Sequence, residues 1–375
     1  MAQNNNQLAF WELLRAGLWE NKSRLAPFGV LDFNEIYRLA EEQSVSGLIA
    51  AGIENAIDYN ISKGSVIRFI GAALQIEQRN KTLNLFLERI INELTQNDVY
   101  ALLLKGQGIA QCYERPLWRA SGDIDLFLSK DNYQKGVKLL SALSSNSEEE
   151  QNYYQHIAFL IESVLGELHG TLRSGLWRRI DSVLDDVKDS ILKKGRVRSW
   201  VNGQTQIFIP HENDNVVYVF THILQHFFKE GIGLRQICDW CRLLWYYHET
   251  IDLKQLNSRI RRAGILSEWK TFAAFAVNYL GMPESVMPFY SKEIKWKRKA
   301  ERVLDYILEA GNFGHNRDYS YYKKYPFLIY KAISLLRHLK DGFCLLKIFP
   351  VDSLLVTSRR LRVGIKAALT GKKHE

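Results

Sequence analysis

Two aspartates lie two residues apart in the otherwise apolar segment RASGDIDLFLSK, residues 119–130. On a β-strand, residues i and i+2 project to the same face, so Asp123 and Asp125 would stand side by side while Ile124 and Leu126 point into the core. Carboxylates this close repel each other, and the repulsion raises one pKa unless a cation lies between them. A divalent metal resolves the repulsion, and all-oxygen ligation suits Mg²⁺ or Mn²⁺ rather than zinc.

The same pattern also fits a solvent-facing strand whose aspartates are simply hydrated. Ile124, Leu126 and Leu128 could then bury the opposite face. Gly122, directly before the pair, lets a substrate or a neighbouring backbone approach closely, and we include it among the candidate ligand-binding residues. The pair alone leaves both interpretations open.

A possible phosphate-binding turn precedes the aspartates in LLLKGQGIAQCY. Gly106 and Gly108 open a predicted helix whose free N–H groups can cradle a phosphate, and Lys105 adds a positive charge. This strand, turn and helix would place a cation one strand away from the two carboxylates.

A third acid is available in GELHG, where Glu167 and His169 share one strand face. A third carboxylate from a separate strand is what a two-metal site for phosphoryl or nucleotidyl transfer requires. Glu162 lies nearby, and a register shift of one residue would exchange the faces of the strand. His169 either orients a ligand or acceptor or is a structural residue.

The segment LLKGQGIAQCYERPLWRASGDIDLFL resembles the bacterial family known as uncharacterised nucleotidyltransferases, within the polymerase-beta-like superfamily. The hallmarks are Leu-Lys-Gly, then Tyr-x-x-Pro-x-x-Arg, then Gly-Asp-Ile-Asp-Leu. GELHG is similar to the Glu-x-His strand of that family, and HILQHFFKEGIGLRQICDWCRLL resembles its helical segment. The resemblance covers about residues 30 to 290.

This resemblance implies an α+β fold with a small mixed sheet. It also implies a metal-dependent transfer of a nucleoside monophosphate from an NTP to a small-molecule, sugar or protein acceptor. It assigns metal ligation, by Mg²⁺ or Mn²⁺, to Asp123, Asp125 and Glu167. It assigns phosphate binding to Lys105 and Gly106.

One departure from the superfamily lies in the glycine turn, which has Gly-Ser or Gly-Gly elsewhere and Gly106-Gln107 in this chain. Lys105 is a candidate to replace the missing serine, and Arg119 is a further candidate for the triphosphate. The missing serine also keeps open an alternative function, a catalytically inactive nucleotide- or partner-binding module with the same fold.

Histidines and cysteines on two predicted helices suggest either zinc or packing. His222 and His226 share a helix face, and Cys238 and Cys241 form a CxxC on the next helix. Two histidines and two cysteines can hold zinc. The apolar helix ICDWCRLLW lacks the glycine-bearing knuckle that usually presents thiolates, which favours core packing.

Charged residues on the same helices form a second set of candidates. Arg235 and Asp239 are spaced to pair on one helix face, where they would brace two domains or line a cleft. Arg235 is a candidate to hold nucleotide phosphate or acceptor. His226 and Asp239 are possible auxiliary residues.

The periodicity of the chain predicts four regions. Apolar residues at helical spacing before Asn97 predict helices with breaks at 27–29 and 63–65, and period-2 segments then predict strands in VYALLLKG, DIDLFLS, HIAFLIES and VLGELHG. A helix is expected in QGIAQCYER, another in DNYQKGVKLLSALSS, a surface loop in SSNSEEEQN, and a hairpin turn at Asn202-Gly203. The strands HIAFLIES and VLGELHG are expected to pair, with the turn either at Gly166 or in the Ser163 region. The predicted regions are an N-terminal helical region (1–95), an α/β core (96–211), a helical domain (212–290) and a basic helical C-terminal region (291–375).

The net charge of +9 is concentrated in the last region, where 19 Lys and Arg oppose 8 Asp and Glu. Such a surface favours phosphate-bearing partners or anionic lipid, although most charge runs are solvated faces. A nucleic-acid end-modifying enzyme is therefore another alternative. Its binding would weaken steeply with salt.

Composition and targeting features indicate a folded cytoplasmic protein. The chain has 375 residues, 46% of them hydrophobic, which excludes a disordered protein, and four cysteines are too few for a disulfide framework. We find no secretion signal and no apolar run of the ~18 residues that a membrane span requires. The amphipathic stretch FLIYKAISLLRHLKDGFCLLKIF favours a core helix over membrane association.

Overall fold

Helices precede the first strand in the computed structural model, which describes residues 4–144, 146–147, 155–312 and 325–370. These N-terminal helices are α1 (Asn5–Trp19), α2 (Phe33–Glu42), α3 (Ser46–Glu54) and α4 (Lys63–Gln96). The first predicted break is confirmed as a 3₁₀ turn at Ala26–Phe28. The second is placed too late, because Ser62 caps α4 by accepting a hydrogen bond from the backbone N–H of Ser65 at 3.2 Å.

Helices α1 and α3 cross so closely that each has a glycine at the contact. A Cβ atom on Gly17 would lie 1.8 Å from the carbonyl oxygen of Leu48, and one on Gly52 would lie 2.1 Å from that of Leu13. Neither position can hold a larger residue without moving a backbone. The two glycines therefore fix how the N-terminal helices pack.

The predicted mixed sheet has five strands in the described residues, in the order β1-β2-β5-β4-β3. The strands are β1 (Ala101–Leu104), β2 (Ile124–Leu128), β3 (Asn146–Ser147), β4 (His156–Ile161) and β5 (Val164–His169). Strands β2 and β5 run parallel, and the other neighbours are antiparallel. The α+β class with helices on either side of a small mixed sheet is confirmed.

Local details around the sheet differ from the prediction. Helix α5 covers only Gly106–Ala110, so the helix expected in QGIAQCYER ends early. Of the two predicted positions of the β4–β5 turn, the Ser163 region is confirmed, because Glu162 and Ser163 both have positive φ, while Gly166 lies inside β5 beneath the ring of Phe159. In the predicted loop SSNSEEEQN, β3 is a short strand, Ser144 ends the preceding helix, and the other residues lie outside the described part of the chain.

Strand β2 is buried on both faces. Ile124, Leu126 and Leu128 pack in a hydrophobic cluster with side chains of α4 and of α6 (Lys130–Leu143). Phe127, on the opposite face, belongs to a second cluster that includes the C-terminal helices. The aspartate face of the strand is therefore covered by the helical domain and not by water.

One helix was not predicted. Helix α7 (Arg178–Lys194) buries Ile180, Val183, Leu184 and Val187, a spacing that indicates a helix. After it, β6 (Val197–Asn202) and β7 (Thr205–Pro210) form the predicted hairpin, with Gly203 in the turn at φ 61°.

The rest of the described chain is helical. Its helices are α8 (Glu212–Lys229), α9 (Leu234–Tyr246), α10 (Leu253–Ala263), α11 (Leu266–Leu280), α12 (Ile294–Ala310), α13 (Phe327–Leu346) and α14 (Pro350–Thr370). Buried side chains of α1 to α3 and α8 to α12 form one continuous cluster. The four predicted regions thus share a core, and their boundaries stay predictions.

Helix α13 coincides with the predicted amphipathic stretch. Leu345 is buried, whereas Leu336 and Phe343 are 66% and 64% exposed. Among the described helices, none combines the length and the apolar character needed to cross a membrane. Most of the aromatic segment NRDYSYYKKYPF lies outside the described residues.

The α1–α3 contact makes a prediction about stability. We expect Gly52→Ala to lower the free energy of unfolding by about 1–3 kcal/mol, because the new methyl group overlaps the Leu13 carbonyl. Gly64→Ala is the matched control, since a Cβ there meets nothing within 4 Å. The control should be neutral or stabilising by up to about 1 kcal/mol in chemical denaturation. Equal destabilisation by both substitutions would contradict the claim that the α1–α3 contact has no room for a side chain at Gly52.

Candidate active site

The three predicted acids come together on neighbouring strands. Asp123 directly precedes β2, Asp125 lies within it, and Glu167 is the partner of Asp125 in the parallel β2–β5 pair. A carboxylate oxygen from each lies within 4.8 Å of the others. Glu162 instead lies in the β4–β5 turn and pairs with Arg89. The register therefore places Glu167, and not Glu162, beside the aspartates.

Asp125 is held by two cationic side chains. It is 3% exposed, so the interpretation of a hydrated strand is wrong for this residue. The Lys105 Nζ lies 3.1 Å from one carboxylate oxygen of Asp125, and the His169 Nε2 lies 2.8 Å from the other. Buried charges persist in proteins when they are paired in this way.

His156 completes the group and was missed by the sequence analysis. Its Nε2 lies 3.0 Å from an oxygen of Glu167, and the Nε2 of His169 lies 3.4 Å from the same oxygen. The two histidines are opposite each other in the β4–β5 pair. A turn placed at residues 162–163 is the signal that would have found His156, because it fixes this register.

The pKa values of the two aspartates are shifted in opposite directions from their usual value. Burial and the adjacent Asp125 raise the pKa of Asp123. Burial also acts to raise the pKa of Asp125, but Lys105 and a hydrogen bond with His169 outweigh it and lower the pKa. Asp123 is thus the carboxylate with the least compensating charge, which is the situation that a bound cation relieves.

Glu167 and His169 stabilise each other in their charged forms. Burial opposes ionisation of Glu167, yet hydrogen bonds with His156 and His169 lower its pKa well below the usual range. Burial alone would lower the pKa of His169, but its hydrogen bonds to Asp125 and Glu167 raise it to about 8. The charge state of each acid in the site therefore depends on the cations beside it, and the reverse.

The donor set fits a hard divalent cation. Asp123, Asp125 and Glu167 offer only carboxylate oxygens, which Mg²⁺ and Mn²⁺ prefer. Burial and the neighbouring Asp125 raise the pKa of Asp123, and a bound cation would oppose both effects. These three residues could hold such an ion.

The predicted phosphate-binding turn faces the same site. Lys105 and Gly106 both have positive φ, 50° and 46°. The Lys105 ammonium bridges Asp125 and the Nε2 of His222, at 2.9 Å from the latter. Because α5 has only five residues, the side chain of Lys105 rather than the helix is the positive group at this turn.

Gln107, in the position of the missing serine, has a structural role. Its buried amide donates to Asn84 at 2.8 Å and accepts from the Ser121 hydroxyl at 2.8 Å. Arg79 donates to the carbonyl oxygen of Gly122 at 2.8 Å. The segment before the aspartates is therefore fixed to α4, and Gly122 itself has open space where a side chain would lie.

Asp239 connects the helical domain to the sheet. The predicted Arg235–Asp239 pair is wrong, because Asp239 forms its ion pair with Arg119, with both at about 4% exposure. The two bonds are 2.9 and 2.6 Å long, and the Tyr113 hydroxyl donates to the same carboxylate at 2.8 Å. Arg119 thus braces the segment before β2 against α9, and its binding to a triphosphate stays a prediction.

Arg235 has unused hydrogen-bonding capacity. Its Nη1 donates to the carbonyl of Ala120 at 3.0 Å, while its buried Nε has no hydrogen-bond partner among the described residues. Burial and the neighbouring Arg119 lower the pKa of this guanidinium. An anion in the adjacent cavity would satisfy both features.

The histidine and cysteine residues do not form a zinc site. His222 and His226 contact each other at 3.1 Å. Cys238 and Cys241 are fully buried in the core, and burial raises the pKa of both thiols. Among the described residues, the side-chain groups that could hold a metal include neither cysteine. The packing interpretation of the cysteines agrees with this placement.

A cavity of about 220 Å³ lies between the sheet and helices α8 and α9. Nine of the eleven predicted site residues line it, and Gly122 and His169 do not. The lining residues from the prediction are Lys105, Gly106, Arg119, Asp123, Asp125, Glu167, His226, Arg235 and Asp239. The helical domain therefore forms one wall of the site.

This combination of a small mixed sheet, an acidic pair and a third acid on the parallel neighbour agrees with the resemblance found in the sequence. Residues 30–281 match the family described as uncharacterised nucleotidyltransferase, and the chain belongs to this family. Comparisons with curated proteins and with solved structures give no match.

The Arg119–Asp239 brace predicts a large stability effect. We expect Asp239→Asn to cost about 3–5 kcal/mol of unfolding free energy, because the Arg119 guanidinium stays buried without its counter-ion. Asp185→Asn removes the partner of Arg173 in an exposed pair and should cost at most about 1 kcal/mol. Urea denaturation measures both. A similar small cost for the two variants would show that the brace contributes little.

Proposed function

We propose that the protein is a metal-dependent nucleotidyltransferase that transfers a nucleoside monophosphate from an NTP to an acceptor hydroxyl. The observation that carries this proposal is the convergence of Asp123, Asp125 and Glu167 on neighbouring strands, within a chain of the nucleotidyltransferase family. The acceptor oxygen bonds to the α-phosphorus, the bond from that phosphorus to the bridging oxygen breaks, pyrophosphate leaves, and the proton of the acceptor hydroxyl is released to water.

Two cations of the chain are suited to bind the triphosphate. Lys105 and Arg235 both line the cavity that contains the acids. Arg235 has an unpartnered Nε, and Lys105 is held at the acids by Asp125. Mg²⁺ or Mn²⁺ bound by the three carboxylates would neutralise charge on the α-phosphate and lower the pKa of the acceptor hydroxyl.

The wall formed by α8 and α9 would exclude water from the reaction. Val219 and Ile223 of α8 contribute apolar surface to the cavity. Exclusion of water strengthens the electrostatic interactions in the site and limits hydrolysis of the NTP. The Arg119–Asp239 brace holds this wall against the segment that carries the aspartates.

A second cavity, of about 620 Å³, is a suitable place for the acceptor. Gly170 is one of its lining residues and lies three residues beyond Glu167. Three residues of extended strand correspond to a distance of about 10 Å between these two residues. Its charged lining consists of four cations and two acids, a net charge of +2: Arg173, Arg178, Lys188, the C-terminal Arg359, Asp181 and Asp185. This positive charge favours an acceptor that carries an anionic group, and it gives the basic C-terminal region a role in binding it.

Two observations favour the alternative of an inactive binding module. Lys105 and His169 already occupy both carboxylate oxygens of Asp125, and Gln107 has a structural role where the superfamily has a phosphate-binding serine. Such a module would bind nucleotide and metal but transfer no label. The experiment below separates the two functions.

We expect NTPs with Mg²⁺ or Mn²⁺ to raise the melting temperature of the wild-type protein, because a ligand that binds the native state stabilises it. Asp123→Asn and Asp125→Asn should remove the metal-dependent part of the shift. They should also reduce transfer of label from α-phosphate-labelled NTP by at least about 100-fold. Asp189→Asn, at an exposed i,i+4 pair on α7, is the control and should change neither result.

The outcome that contradicts the site assignment is equal binding of metal and nucleotide by the wild type and both site variants. Metal-dependent binding that is lost in the variants, without label transfer to any acceptor tested, would instead support the inactive module.

A further inference from the structure

A second set of potential metal ligands lies beside the acidic site. His156, Glu167 and His169 each offer a donor atom, and these atoms all lie within 4.8 Å of one another. The set shares Glu167 with the acidic group but adds two imidazole nitrogens. Asp123 belongs only to the first group and His156 only to the second, so the two sets can be tested separately.

We propose that His156, Glu167 and His169 form a second metal site, which binds a divalent cation that accepts nitrogen ligands, such as Mn²⁺ or Zn²⁺. The proposal does not rest on nucleotidyl transfer, although this site shares Glu167 with the acidic group. Imidazole suits transition metals, whereas Mg²⁺ prefers oxygen and keeps several waters. Mn²⁺ therefore suits both sites, whereas Mg²⁺ favours the acidic site and Zn²⁺ the histidine site.

The spacings between Glu167 and each histidine fit one ion. The Glu167 oxygen lies 3.0 Å from the Nε2 of His156 and 3.4 Å from that of His169. Two metal–ligand bonds of about 2.1 Å that meet at angles between octahedral and tetrahedral separate their donor atoms by about 3.0 to 3.4 Å. Binding of the ion would displace the proton on the Nε2 of His169 and replace the 2.8 Å contact of this nitrogen with Asp125.

The hairpin holds these ligands in advance of binding. His156 and His169 face each other across the β4–β5 pair, and their ring centroids are 4.9 Å apart. Glu167 is two residues before His169 and therefore projects to the same face. All three ligands thus lie on two adjacent strands joined by a short turn, which favours a fixed geometry.

The site is open to solvent on one side. The side chains of His156, Glu167 and His169 are 27%, 26% and 16% exposed. Water could complete the coordination shell, as it does in metal sites with three protein ligands. An ion could also reach this site without passing through the 220 Å³ cavity, whose lining includes neither histidine.

The competing explanation is a hydrogen-bond network without metal, since the same distances fit N–H···O bonds. Manganese distinguishes the two, because its electron spin couples to directly bound nitrogen. We expect the full-length protein, freed of metal by a chelator, to bind two Mn²⁺ ions in a titration followed by electron paramagnetic resonance. One of these ions should show nitrogen hyperfine coupling.

His156→Gln should weaken the binding of one Mn²⁺ by more than about 10-fold and reduce the nitrogen coupling. His248→Gln removes a histidine at the end of α9 and is the control. Asp123→Asn should lose the other Mn²⁺ and keep the nitrogen coupling. Because the coupling is read on the wild type, the test does not depend on the folding of any variant.

Two results would overturn the second site. One is wild-type protein that binds manganese without nitrogen coupling. The other is a His156→Gln variant with the same manganese affinity and nitrogen coupling as the wild type. These results would leave nucleotidyl transfer untouched. Conversely, nitrogen coupling in a protein that transfers no label would support the second site and contradict only the proposed function.

Discussion

The burial of the Asp125 carboxylate is the constraint on which the rest of the site depends. A carboxylate at 3% exposure costs several kcal/mol unless it is paired, and its partners come from different parts of the chain. Lys105 follows β1, His169 ends β5, and His222 on α8 contacts the Lys105 ammonium. One buried charge thereby links three elements: β1, β5 and the helical domain. The order of the strands and the position of α8 together bring the partners of this carboxylate into contact with it and with each other.

The helical domain is tied to the sheet by a second buried charge. Asp239 of α9 accepts from Arg119 and Tyr113, and these bonds fix the segment that leads into the aspartates. Removing either member of such a pair leaves an uncompensated charge in the core. The geometry of the candidate site therefore depends on how the helical domain packs against the sheet. A change in α9 that moves Asp239 would also move Asp123.

Local patterns predicted much of the fold and of the site. The spacing of Asp123 and Asp125 predicted their shared face, and Asn202-Gly203 predicted a hairpin, because both depend on neighbouring residues. The partner of Asp239 could not be predicted from helix spacing, since Arg119 is 120 residues away and meets it only through tertiary packing. His156 depended on a turn whose position the sequence left between two residues. Helix α7, in contrast, is predictable from local sequence, because its buried apolar residues follow helical spacing.

The most direct test of the acidic site is a crystal structure with Mn²⁺ and a non-hydrolysable NTP, in which anomalous scattering locates the metal. We expect manganese about 2.1 Å from oxygens of Asp123 and Asp125, with the triphosphate in the 220 Å³ cavity. Lys105 should leave Asp125 and contact a phosphate. Nucleotide bound elsewhere, with the Lys105–Asp125 pair intact and no metal at the aspartates, would contradict the account.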